Sequence, residues 1–158
     1  MKHGDILSYS AGTSSADPYG FRIIQKSSSI MDSAVKAVPG LDALFQKIPL
    51  FLNCYPASLF NPTAGVFVET FMSQKTFSRA ASLAASEKMP LVILGQPLFI
   101  ADNFCNHIIK MKGYLPEEIL IATGGYYMPL SLQNFIRDIV GTKSRIQFFF
   151  FYGLAEID

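Results

Sequence analysis

The sequence predicts an α/β fold built on a mostly parallel sheet with helices on both faces. Three observations predict it. Apolar runs of strand length, "IPLFLNCY" (48–55), "PLVILG" (90–95), "EILIAT" (118–123) and "RIQFFFF" (145–151), alternate with segments of helical spacing, which is the βαβ pattern of a parallel sheet. Within those runs the apolar residues are continuous rather than alternating, as in strands covered on both faces. Half of the 158 residues are hydrophobic and only 16% are charged, so the chain has the material for one domain with a heavily buried centre. Right-handed crossovers would place the connecting helices on the faces of the sheet.

Taken in order, "DILSY" (5–9) and "YGFRIIQ" (19–25) read as strands flanking a loop of small residues. "SSIMDSAVKAVPG" opens on serines suited to an N-cap and halts at Pro39-Gly40, which predicts a helix over 28–38. Residues 48–55 form a buried strand, and 62–72 and 76–88 read as helices, the second rich in alanine. After the strand at 90–95, Leu98, Ala101, Cys105 and Ile108 recur at helical spacing. After the strand at 118–123, Leu132, Phe135, Ile136, Ile139 and Val140 make one apolar stripe, with Pro129 suited to a first turn and Gly141 to a stop. The last strand, 145–151, carries four successive phenylalanines, whose rings would point alternately to opposite covered faces.

The totals exclude several classes. A net charge of +1 gives no footprint for a nucleic acid. The longest oily stretch, "MPLVILGQPLFIA", is too short for a membrane span and is broken by Gly95, Gln96 and Pro97. "MKHGDILSYSAG" lacks the apolar centre of a signal peptide, so a cytoplasmic location is the expectation. Cys54 and Cys105 read as buried free thiols, and with His3 and His107 they show no metal-ligand spacing.

Ligands of parallel sheets bind beyond the carboxyl ends of the strands. Three stretches are expected there. "SYSAGTSSADPYG" (8–20) offers small residues and hydroxyls that suit an anion, without the spacing of a P-loop or a nucleophile elbow. "ATGGYYMP" (122–129) has two glycines against which a flat ligand can lie. "YGLAE" (152–156) offers a stacking ring in Tyr152 and a carboxylate for a divalent cation in Glu156. Read alone, each is also an ordinary turn or strand end. "LNCYPASLFNPTAGVF" (52–67) either lines a pocket with Tyr55 and Phe60 or supplies core aromatics.

Together the three stretches resemble the adenylate-forming superfamily, nearest to its phenylacetate–CoA-ligase-like and acyl-protein-synthetase-like members. "SAGTSSADP" (10–18) resembles the family's phosphate loop, "TGGYYMP" (123–129) the segment bordering adenine, and "YGLAE" the Tyr-Gly-x-Thr-Glu motif. The resemblance implies part of the N-terminal core of an enzyme that activates a carboxylic acid with ATP as an acyl-adenylate. It implies that Ser10, Gly12, Thr13 and Ser14 hold phosphates and that Gly124, Gly125 and Tyr126 border adenine. Tyr152 and Gly153 would receive the base, and Glu156 would bind Mg²⁺ and act in catalysis with Thr13. ATP or AMP and Mg²⁺ are the implied cofactors, a carboxylic acid and coenzyme A the implied small-molecule partners. Ser15 stands where the family has glycine, one extra residue precedes Pro18, Tyr19 replaces lysine and Ala155 replaces threonine. The family's ribose-binding aspartate and its C-terminal subdomain with the catalytic lysine have no counterpart in 1–158, which fits either a split enzyme, with a second chain supplying them, or a truncated one that has lost them. The alternatives are a non-catalytic module that binds an adenine nucleotide and a structural remnant that acts by association, self-association included, through its apolar surface.

Overall fold

A computed structural model describes residues 7–8, 22–23, 44, 46–56 and 65–151. Five strands, β3 (Leu50–Cys54), β4 (Val66–Glu69), β5 (Leu91–Gly95), β6 (Glu118–Gly124) and β7 (Arg145–Phe151), form one sheet in the order β4-β3-β5-β6-β7. Every pairing in it is parallel. The α/β class expected from the apolar runs is therefore the class observed. Two short strands, β1 (Leu7–Ser8) and β2 (Arg22–Ile23), pair antiparallel as a separate two-stranded sheet. They lie within the stretches expected to be strands, but they do not belong to the parallel sheet.

The connections explain where the helices go. α1 (Gln74–Ser86) joins β4 to β5 across β3, α2 (Pro97–Phe104) joins β5 to β6, and α3 (Leu130–Val140) joins β6 to β7. All three crossovers step the same way along the sheet, so a single handedness puts all three helices on one face. There Phe77, Ala80 and Ala84 of α1, Ile100 and Phe104 of α2, and Ile136 and Val140 of α3 pack on Leu50, Leu52, Leu91, Ile93, Ile119 and Ile121. The opposite face carries Phe51, Val92, Leu94, Leu120 and Ala122, all buried, and the helical residue Leu44 packs with them. Each fully buried aliphatic or phenylalanine side chain contributes about 1.5–3 kcal/mol by removal from water.

The helix ends follow from local chemistry. Ser73 caps α1 by accepting from the Thr76 N–H. That helix stops in a hydrogen-bond pair, Met89 N–H to Ala84 O and Lys88 N–H to Ala85 O, with Lys88 at φ +55 where glycine is usual. α2 starts on Pro97 and runs on into a π-helical turn, Cys105–Lys110. α3 starts after Pro129 and ends at Gly141, whose φ of +70 suits a residue without a side chain.

Two expectations change. Residues 62–72 do not form a helix: Val66–Glu69 is the edge strand β4, paired with β3 from Leu50↔Val66 to Asn53↔Glu69. The run "VFVE" is short and rich in β-branched and aromatic residues, and this decides for strand over helix. The phenylalanines do alternate, Phe148 packing with the helix-side cluster and Phe149 with the opposite one. Both are only half-buried, because β7 is an edge strand. The helix expected over 28–38 lies outside the described residues.

Candidate functional site

The strand order reverses between β3 and β5, since the chain first steps from β3 to β4 and then returns past β3 to β5. Such a switch point opens a crevice at the carboxyl ends of the strands. Gly95 ends β5 there because its neighbour leaves no room: a Cβ would lie 2.5 Å from Cys54 Cβ and 3.0 Å from the Cys54 carbonyl oxygen. Next to it, Tyr55 buries its ring among Phe51, Leu94 and Ala122 and extends its hydroxyl to β6.

β6 leaves the sheet through Gly124 and Gly125. Gly125 has φ +71, and a Cβ there would meet nothing within 4 Å, so the turn needs glycine for its backbone and faces open space. The Thr123 hydroxyl donates to the Tyr126 carbonyl at 2.8 Å and tightens the turn. Tyr126 and Tyr127 follow, 55% and 69% exposed as residues. Tyr127 rests against Phe150 of β7, with ring centroids 5.3 Å apart.

A cleft of about 520 Å³ opens beside this turn, lined by Gln96, Pro97, Leu98, Tyr126, Tyr127, Pro129, Ser131 and Leu132. Its walls are the first turns of α2 and α3, and no side chain caps either helix. Uncapped first turns present backbone N–H groups and the positive end of the helix dipole. The cleft thus combines flat apolar rings with donors that favour an anion. A hollow of about 550 Å³ lies at the opposite, amino-terminal end of the sheet, with Lys47, Lys88, Tyr114 and Glu118 in its lining. It is slightly larger, but Glu118 there is tied to Arg145 at 2.8 Å and faces Lys47 at 3.7 Å. Strand topology places ligands at the other end.

Among the expected site residues, Gly124, Gly125 and Tyr126 stand at the carboxyl rim, and Tyr126 lines the cleft. Ser10, Gly12, Thr13, Ser14, Tyr152, Gly153 and Glu156 lie outside the described residues. Among the described residues no three His, Cys, Asp or Glu side chains come together to hold a metal ion, and no helix is long and apolar enough to cross a membrane. Cys54 is a buried free thiol, as expected, while Cys105 is half-buried.

The hydroxyl of Tyr55 was not legible as part of the rim. Its one signal is a tyrosine, where phenylalanine would serve packing alone, closing the apolar run "LFLNCY". Burial pushes the Tyr55 phenol above its ordinary range, against the pull of its hydrogen bond with Gly124, and Tyr126 adds to the rise. No family model, no curated protein and no solved structure matches the chain.

Proposed function

We propose that the carboxyl-terminal rim binds an adenine nucleotide, and that the chain serves ATP-dependent activation of a carboxylic acid as an acyl-adenylate. One observation carries the binding half: two exposed tyrosine rings flank a cleft walled by two uncapped helix starts. A ring face suits a base, the helix starts suit phosphate, and the cleft volume lies within the range of small-molecule sites. The activation half rests on the resemblance of "SAGTSSADP", "TGGYYMP" and "YGLAE" to adenylate-forming motifs. In that reading Ser10, Gly12, Thr13 and Ser14 hold phosphates, Tyr152 and Gly153 meet the base, and Glu156 holds Mg²⁺. The metal would supply neutralising charge on the phosphates.

Ala155 favours a second reading, a nucleotide-binding module without chemistry. The family's threonine hydroxyl is absent at that position, and loss of one such donor costs about 10²-fold or more in rate.

Calorimetric titration with ATP, AMP and adenosine tests the binding half. AMP should bind more tightly than adenosine, and Tyr126→Ala should weaken AMP by about 1–3 kcal/mol, the worth of one stacked base. Absence of heat with both ATP and AMP overturns it. Pyrophosphate exchange with a panel of carboxylic acids then separates the two readings: exchange above background supports the ligase, and binding without exchange supports the module.

A further inference from the structure

β6 outruns β5. Their register runs from Leu91↔Ile119 to Leu94↔Ala122, and two residues further it would set Gln96 opposite Gly124. Gln96 is instead the cap residue of α2, and Pro97 after it starts the helix. Proline has no N–H for a ladder. The end of β6 therefore loses its neighbour on the β5 side, while Gly124 keeps its register with Phe151 of β7 on the other.

A single phenol fills the gap. The Tyr55 hydroxyl accepts from the Gly124 N–H at 2.6 Å and donates to the Gly124 carbonyl at 3.0 Å. Tyr55 follows β3, on the far side of β5, so the side chain and its hydrogen bonds together bridge two strand spacings, about 9–10 Å. It serves both polar groups of one residue, as a paired strand would do in a ladder. The turn beyond has no packing of its own at Gly125. Among the described residues three side chains hold it by hydrogen bonds: Thr123 within the turn, Gln133 of α3 at its far end through the Met128 carbonyl, and Tyr55 from across the sheet.

We propose that Tyr55 is a positioning residue for the cleft. Its hydroxyl stands in for the partner that β5 no longer offers Gly124, and so sets the direction in which Gly125, Tyr126 and Tyr127 leave the sheet. The inference rests on the reading of the rim as an adenine-nucleotide site. It adds that the turn bearing the base-stacking rings is aimed by a side chain buried on the opposite face of the sheet.

Tyr55→Phe tests it, since the ring and its burial are kept and one oxygen is lost. Amide hydrogen exchange by NMR reads Gly124, with Ile93 and Ile121 as controls for the sheet, and calorimetry with AMP reads the site. Exchange at Gly124 should rise at least about tenfold while the controls hold, and AMP affinity should fall about tenfold. Thr123→Val, which breaks the inner bond of the same turn, should weaken AMP similarly. Unchanged exchange at Gly124 overturns the inference, as does a uniform rise across the controls, which would mark general loosening. Raised exchange at Gly124 with unchanged AMP affinity also overturns it. Wild-type protein that binds no AMP defeats the nucleotide reading itself, an outcome distinct from wild-type and Tyr55→Phe proteins that bind equally.

Discussion

Replacing Gly113 by alanine puts a methyl carbon where the His107 ring already is. The added Cβ would lie 2.5 Å from His107 Nε2 and closer still to Nδ1 and Cε1. The ring has little freedom to retreat: it is 1% exposed, it meets Phe77 edge-on with centroids 6.4 Å apart, and its Nε2–H donates to the Tyr114 carbonyl at 2.8 Å. Such overpacking costs about 1–3 kcal/mol, and a ring clamped on three sides puts Gly113→Ala near the upper end. His107→Ala removes the ring and leaves a cavity against Phe77, a loss of about 2–4 kcal/mol on the scale of large-to-small core changes. The two losses should not add. With the ring gone the methyl introduced by Gly113→Ala enters vacated space, and the narrower range of unfolded conformations favours alanine by about 0.4–1 kcal/mol. The double variant should therefore be no less stable than His107→Ala alone, a coupling of roughly 2–3 kcal/mol between contacting residues. Urea unfolding followed by far-ultraviolet circular dichroism suits a chain without tryptophan. Additivity within about 0.5 kcal/mol would refute the argument.

Two further outcomes follow from local geometry. Burial pushes the Cys54 thiol from 9.0 up to about 12, against the pull of the Thr70 hydroxyl and with Glu69 adding to the rise. The native state thus keeps a proton that the unfolded chain has released, so stability is intact below pH 9 and falls by up to about 1.4 kcal/mol per pH unit towards pH 12. A Cys54→Ser variant whose stability falls as steeply over that window would refute the assignment. Lys88 closes α1 in a left-handed conformation at φ +55, which costs a residue with a Cβ about 1–2 kcal/mol, partly offset in glycine by its greater unfolded freedom. Lys88→Gly should raise the unfolding midpoint, by roughly 0.5–1 kcal/mol of stability; an unchanged or lower midpoint in urea would count against this.

Most of the sheet was legible in the sequence because its strands are buried on both faces. Leu91 to Leu94 must be continuous and apolar wherever two layers cover them, and α3 shows its stripe because one face meets the core. β4 was misread because four residues cannot display a period, and the apolar residues around Val66 to Val68 fit either spacing. The antiparallel pairing of β1 with β2 was hidden for a different reason: strand propensity does not say which sheet a strand joins. At the rim, the glycine pair and Tyr126 were visible as chemistry attached to a strand end. Tyr55 was visible as a pocket-lining or core aromatic, but the use of its hydroxyl was not. Its role depends on β5 ending one residue before β6 does, a relation between strands far apart in sequence. The uncapped starts of α2 and α3 were likewise invisible as a pair until the fold set them side by side.

The position of β3 between β4 and β5 also sets an order of assembly. β5, β6 and β7 are linked in succession by single helical crossovers, so their pairings close short stretches of chain. Joining β3 to β5 closes a loop that already contains β4 and α1, at a larger entropy cost. Distant pairings form after near ones because that cost comes before any contact repays it. The half beginning at β5 should gather first, and β3 should then dock on its free edge. Tyr55 and Gly124 sit on opposite sides of that last seam, so the bond that aims the rim is also among the final events of folding.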